Sequence, residues 1–181
     1  MGISIRRYQD TCILLLGLVP VPAVCATAVA TQSLNATINP AWAMSVQASA
    51  GLTHGQQAFQ PYQANVPLNY QVRTTPTGGG KITLQVTNDF APAGGPSVSN
   101  GVLTYTCGSA TLGSPCSGTQ TASTAAQTLV VNLPSSACTG GGGACTAQDP
   151  NSVTLTFSLT DDPVYATGSY SAHITFTISA I

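Results

Sequence analysis

The sequence predicts an all-β protein: an immunoglobulin-like, two-sheet antiparallel β-sandwich of about 7–9 strands, preceded by a signal peptide. Three observations carry this expectation. Apolar residues recur at every second position in short runs. Clusters of Gly, Pro, Ser and Asp separate the runs at intervals suited to short strands. No window has a convincing 3.6-residue period, so almost no helix is expected in the mature chain.

The runs can be taken in order. Leu34, Ala36 and Ile38 form the first, and Trp42, Met44, Val46 and Ala48 follow Pro40. Leu68, Tyr70 and Val72 form the third; Ile82, Leu84 and Val86 form the fourth. Leu103, Tyr105 and Cys107 come next, followed by Leu129, Val131 and Leu133. Val153, Leu155, Phe157 and Leu159 make the seventh run, and Tyr170, Ala172, Ile174, Phe176 and Ile178 the last. The intervening positions are mostly Thr, Ser, Asn and Gln, which suit a solvated strand face. Between the third and fourth runs, 75–80 read as a hairpin turn. The connection 109–126 is long and small-residued, with room for a short strand near Thr119–Ser123.

The N-terminal residues read as an export signal. Arg6 and Arg7 form its basic region, and the apolar stretch Thr11–Val24 is too short to span a bilayer comfortably. Val24-Cys25-Ala26 supplies small residues for cleavage after Ala26, with Ala26 and Ala28 as the alternative pair for cleavage after Ala28; the signal is placed at 1–26 and a single domain at 27–181. Lipidation at Cys25 is disfavoured by the bulky Val24 before it. No segment of the mature chain is apolar enough for a transmembrane span. The expected location is periplasmic, cell-surface or extracellular.

Cysteine usage fits export. Cys12 and Cys25 fall in the signal, leaving Cys107, Cys116, Cys138 and Cys145. An even number in an exported chain points to disulfides, and four cysteines allow three pairings. Cys107–Cys116 and Cys138–Cys145 are favoured because each closes a short loop. The spacings are longer than the close pairs of a zinc site.

Charge excludes several functions. Only 5% of residues are charged, with Lys and Arg numbering 4 in all, so no basic patch is expected to hold nucleic acid; there is no Glu. A net charge of −1 gives little self-repulsion and permits close association. The two histidines, His54 in a loop and His173 at an outward strand position, read as surface residues. No Gly-x-Ser-x-Gly elbow is present. Gly78-Gly79-Gly80-Lys81 lacks the following Ser or Thr and the helix of a phosphate loop. Asp161-Asp162 reads as a solvated or capping pair rather than a calcium site. No catalytic residue, metal ligand or cofactor is expected. The aromatics that share parity with aliphatic neighbours are assigned to the core, whereas Tyr62 and Tyr165 fall in predicted loops as candidate ligand contacts.

Gly168-Ser169-Tyr170 precedes the last run and suggests a tyrosine corner, in which the phenol bonds back to the turn backbone. In that arrangement another strand should follow, so the last run has an edge to be covered by the N-terminal segment or by another molecule. The stretch Thr167-Gly168-Ser169-Tyr170-Ser171-Ala172, continued by Ile174-Thr175-Phe176-Thr177-Ile178-Ser179, resembles secreted bacterial β-sandwich subunits of the pilin-like and spore-coat-protein-U-like kind. The early Leu34-Asn35-Ala36-Thr37-Ile38 stretch fits the same pattern. The resemblance implies an immunoglobulin-like fold and strand exchange between subunits, with 27–39 as donor or as first strand in cis. The late-placed cysteines depart from that pattern. The expected role is thus a non-catalytic structural or adhesive subunit, partnered by copies of itself or other surface subunits through an open sheet edge. A secreted carbohydrate- or ligand-binding module is the alternative.

Overall fold

A computed structural model describes residues 33–37, 41–73, 78–135 and 150–180. The predicted signal, 1–26, and both Cys138 and Cys145 lie outside the described residues. Among those described, nine strands form two antiparallel sheets, and the one helical element is a single 3-10 turn, Val98–Asn100. The strands are β1 (Ala41–Val46), β2 (Tyr62–Arg73), β3 (Gly80–Ala91), β4 (Leu103–Cys107), β5 (Ser114–Pro115), β6 (Gln120–Thr121), β7 (Thr128–Leu133), β8 (Asn151–Leu159) and β9 (Ser171–Ala180). The first sheet runs β1-β2-β8-β4-β6 and the second β5-β7-β3-β9. The chain is the two-sheet β-sandwich that the alternation predicts.

The order has a familiar logic. An immunoglobulin-type sandwich places its strands A, B, E and D in one sheet and C, F and G in the other. Here β1-β2-β8-β4 takes the A-B-E-D places, and β3-β9 the C-F places. Beyond β9, where strand G would stand, no strand lies among the described residues.

Alternation drives the packing. Val66, Leu68, Tyr70 and Val72 of β2 and Val153, Leu155, Phe157 and Leu159 of β8 turn inward and are buried. They meet Ile82, Leu84 and Val86 of β3 and Val130, Val131 and Leu133 of β7. Two core tyrosines satisfy their hydroxyls, as burial requires. Tyr70 donates to the Leu112 carbonyl, and Tyr105 reaches the second sheet at Leu129 O, 2.8 Å away. The Cys107–Cys116 disulfide is present, with Cα atoms 5.5 Å apart. It links the end of β4 in the first sheet to the residue after β5 in the second, where the Cys116 N–H bonds Val130 O at 2.8 Å.

Several expectations need correction. β2 and β3 belong to different sheets, so the two strands do not form the expected hairpin. The Leu129-Val131-Leu133 parity breaks: Ile82 pairs Val131 but Thr83 pairs Leu129, leaving Val130 as an extra residue. This β-bulge turns Val130 inward and leaves Leu129 39% exposed. Strand β2 begins at Tyr62, not near Leu68, so Tyr62 is a strand residue. Of the first run, Ser33–Thr37 lies in no strand, and Leu34 is 92% exposed. Val46 is also exposed, and β1 ends there, short of Ala48.

Candidate functional site

The feature that distinguishes this sandwich is the outer edge of β9. The strand pairs with β3 from Gly80↔Ala180 to Ala91↔Ser171, and among the described residues it has no neighbour on its other side. Ala172, Ile174, Phe176 and Ile178 pack against the core, yet all remain half-buried, whereas the equivalent rows of β2, β8 and β3 are closed. The adjoining edge strand of the first sheet, β1, behaves alike: Trp42 and Met44 face inward and stay half-buried. β1 and β9 approach each other along this flank. Trp42 closes one end of it. A Cβ on Gly80 would lie 2.7 Å from the indole, so only glycine admits the ring there.

The entry to β9 is held firmly. Tyr170, just ahead of the strand rather than within it, donates to Ala166 O at 2.6 Å and completes the expected tyrosine corner. Gly168 is not the glycine that the corner requires, because a Cβ there would make ordinary contact with Tyr170, at 3.6 Å. Gly95 is: its Cβ would fall 2.2 Å from the Tyr170 ring. The Gly94 carbonyl also accepts the Ala166 N–H at 3.0 Å, tying the β3–β4 loop to the β8–β9 loop.

Asp89 fixes that β3–β4 loop. Its Oδ1 accepts the N–H groups of Phe90 (2.7 Å) and Val98 (2.8 Å), and Oδ2 accepts the Ser97 hydroxyl at 2.6 Å. Desolvation by burial pushes its pKa up, but the bonds from Ser97, Val98 and Phe90 together outweigh it and hold the carboxyl below its ordinary value. A carboxylate with a depressed folded pKa contributes stability above its unfolded pKa and loses it as pH falls through the folded one. Asp89→Asn is therefore expected to lower the unfolding temperature at pH 7, with the gap to wild type narrowing below about pH 4. Thermal unfolding of both proteins across that range checks this; a gap independent of pH would contradict it.

The remaining candidates fall elsewhere. His54 and Tyr62 meet edge to face, with centroids 4.8 Å apart, beside the Thr53↔Gln63 bridge. In the same β1–β2 connection Phe59 is 58% exposed and holds a left-handed φ of 56°. Tyr165 is half-buried in the β8–β9 loop; burial, then the charges of Asp162 and Asp161, raise its pKa. Asp162 caps the turn, its Oδ1 accepting the Val164 N–H at 2.9 Å. His173 is exposed on β9, as its parity predicts. Among the described residues no three His, Cys, Asp or Glu side chains converge as metal ligands, and no helix is long and apolar enough to cross a membrane. Sequence reasoning missed Asp89, Gly95 and Phe59: Asp89 acts on the backbone of its own loop, Gly95 on Tyr170, which is far off in sequence, and Phe59 is marked only by its backbone angle. No family model matches the chain, and no curated protein matches it.

Proposed function

We propose that the protein is a non-catalytic, exported structural subunit of a cell-surface or extracellular assembly, joined to its neighbours by strand addition at β9. The observation that carries this reading is the ten-residue edge of β9, unpaired among the described residues, whose inward row Ile174-Phe176-Ile178 is half-buried where a sandwich of this order has one more strand. A free edge presents unpaired N–H and C=O groups that template an incoming strand, and alternate side chains of that strand fill the apolar row. The resemblance to pilin-like and spore-coat-protein-U-like subunits supports the same reading, as does the near absence of charge. Sedimentation of the oxidised mature protein, 27–181, is expected to show mass rising with concentration. A monomer at every concentration would contradict the proposal.

A second reading rests on the β1–β2 connection. That connection carries an exposed Phe59 at positive φ and leads into the Tyr62–His54 ring pair, and rings of this kind are what a sugar stacks on. Glycan-array binding lost on Tyr62→Ala or Tyr165→Ala would favour this module role; silence across a broad array would count against it.

A further inference from the structure

The sequence of β9 is nearly its own mirror image. Read outward from Phe176, Thr175 matches Thr177, Ile174 matches Ile178, His173 stands against Ser179, and Ala172 against Ala180. An antiparallel strand pair opposes residues whose numbers sum to a constant, and directly opposed residues share a face of the sheet. A strand with this symmetry is therefore complementary to itself. Laid antiparallel on a second β9 with Phe176 opposite Phe176, it sets Ile174 against Ile178 twice on the inward face and Thr175 against Thr177 twice on the outward face.

The edge is built to accept such a partner. Native edges are blunted by charge, proline, bulges or shortness. The outermost strand of the same sheet on its other side, β5, has two residues, one of them Pro115, and β6 at the margin of the first sheet also has two. β9 has ten residues, no Asp, Glu, Lys, Arg or Pro, and the irregularities in its ladder fall on β3: Val86 pairs Ile174 and Asn88 pairs His173, leaving Thr87 as the extra residue. β9 keeps an unbroken two-residue rhythm. The half-buried Ile174, Phe176 and Ile178 are the residues that a second copy would cover.

We infer that β9 pairs with β9 of a second copy, antiparallel and centred on Phe176, merging the two four-stranded sheets across a two-fold axis. An isologous contact of this kind closes on itself and yields a dimer. The inference rests on the proposed role of β9 as an assembly edge, and it names the strand that is added: β9 itself, not segment 27–39.

Charge placed on the outward face tests the register in the mature protein. Thr175→Lys with Thr177→Lys sets two like-charged pairs directly opposite each other and is expected to weaken the dimer about tenfold or more. Thr175→Lys with Thr177→Asp loads the same two positions but opposes Lys to Asp twice, and is expected to restore the wild-type dissociation constant. Far-UV circular dichroism confirms that each variant folds. Should the double variants fail to fold, a mixture of the Thr175→Lys and Thr177→Asp single variants reads the same register, with heterodimers expected in excess over either homodimer. Deleting 27–39 is expected to leave the dimer intact. Equal behaviour of the two double variants, or no heterodimer excess in the mixture, overturns this pairing. Loss of association only on deleting 27–39 overturns it too while sparing the assembly role. A wild-type protein monomeric throughout overturns both.

Discussion

Leu155→Ala is expected to lower the free energy of unfolding by about 2–5 kcal/mol, read as an earlier midpoint in urea. Leu155 is fully buried on β8, the central strand of the first sheet. It stands opposite Val66 of β2 on one side and Cys107 of β4 on the other. Both neighbours are fixed by ladders of their own, so the walls of the new cavity have little freedom to collapse inward. Domains of this size hold about 5–15 kcal/mol in total, so the variant should sit close to the limit of folding. Ile174→Ala makes a telling contrast. That side chain is half-buried on the free edge, so in dilute solution its truncation should cost clearly less than Leu155→Ala. Equal losses would mean that the β9 flank is as closed as the centre.

Replacing both cysteines, Cys107→Ser with Cys116→Ser, is expected to cost about 2.5 kcal/mol. The bond closes a loop with a sequence separation of 9, and the entropy it removes from the unfolded chain sets that magnitude. Its placement sharpens the effect. The loop leaves the first sheet at β4 and enters the second at β5, and it carries Leu112, whose carbonyl accepts the buried Tyr70 hydroxyl. Without the bond, β5 and the Cys116–Val130 hydrogen bond lose their tether, and the β7 margin of the second sheet is uncovered. Urea unfolding at neutral pH measures the loss; an unchanged midpoint would show that the two sheets hold each other without the covalent link.

Much of the sandwich was legible because its central strands bury one face and solvate the other. The runs at Leu68–Val72, Ile82–Val86, Leu103–Cys107 and Val153–Leu159 sit where a two-residue rhythm puts them. The rhythm gave false parity at β7, because a bulge is a property of two paired strands and Val130 alone carries no mark of it. It also shortened β2. Pro67 lies inside the strand: β1 ends at Val46↔Leu68, so β2 is an outer strand at Pro67 and tolerates a residue without an N–H. Which strands share a sheet was hidden for the same reason: the connection from β2 to β3 has the turn chemistry of a hairpin. At the candidate site, the tyrosine corner was visible as Gly-x-Tyr, but the glycine that admits the ring is Gly95, far off in sequence. The mirror symmetry of β9 is plain in the letters; it gained meaning only once topology placed that strand at an edge.

Hydrogen exchange along β9, followed as a function of protein concentration, tests the central claim most directly. In dilute solution the amides of Ser171–Ala180 that do not face β3 should exchange freely, because no strand among the described residues covers them. On concentration they should slow together, in alternation along the strand, while β2 and β8 stay protected throughout. Protection of both sets of β9 amides in dilute monomer, unchanged on concentration, would mean that the edge is already covered within the chain, and the assembly account would be wrong.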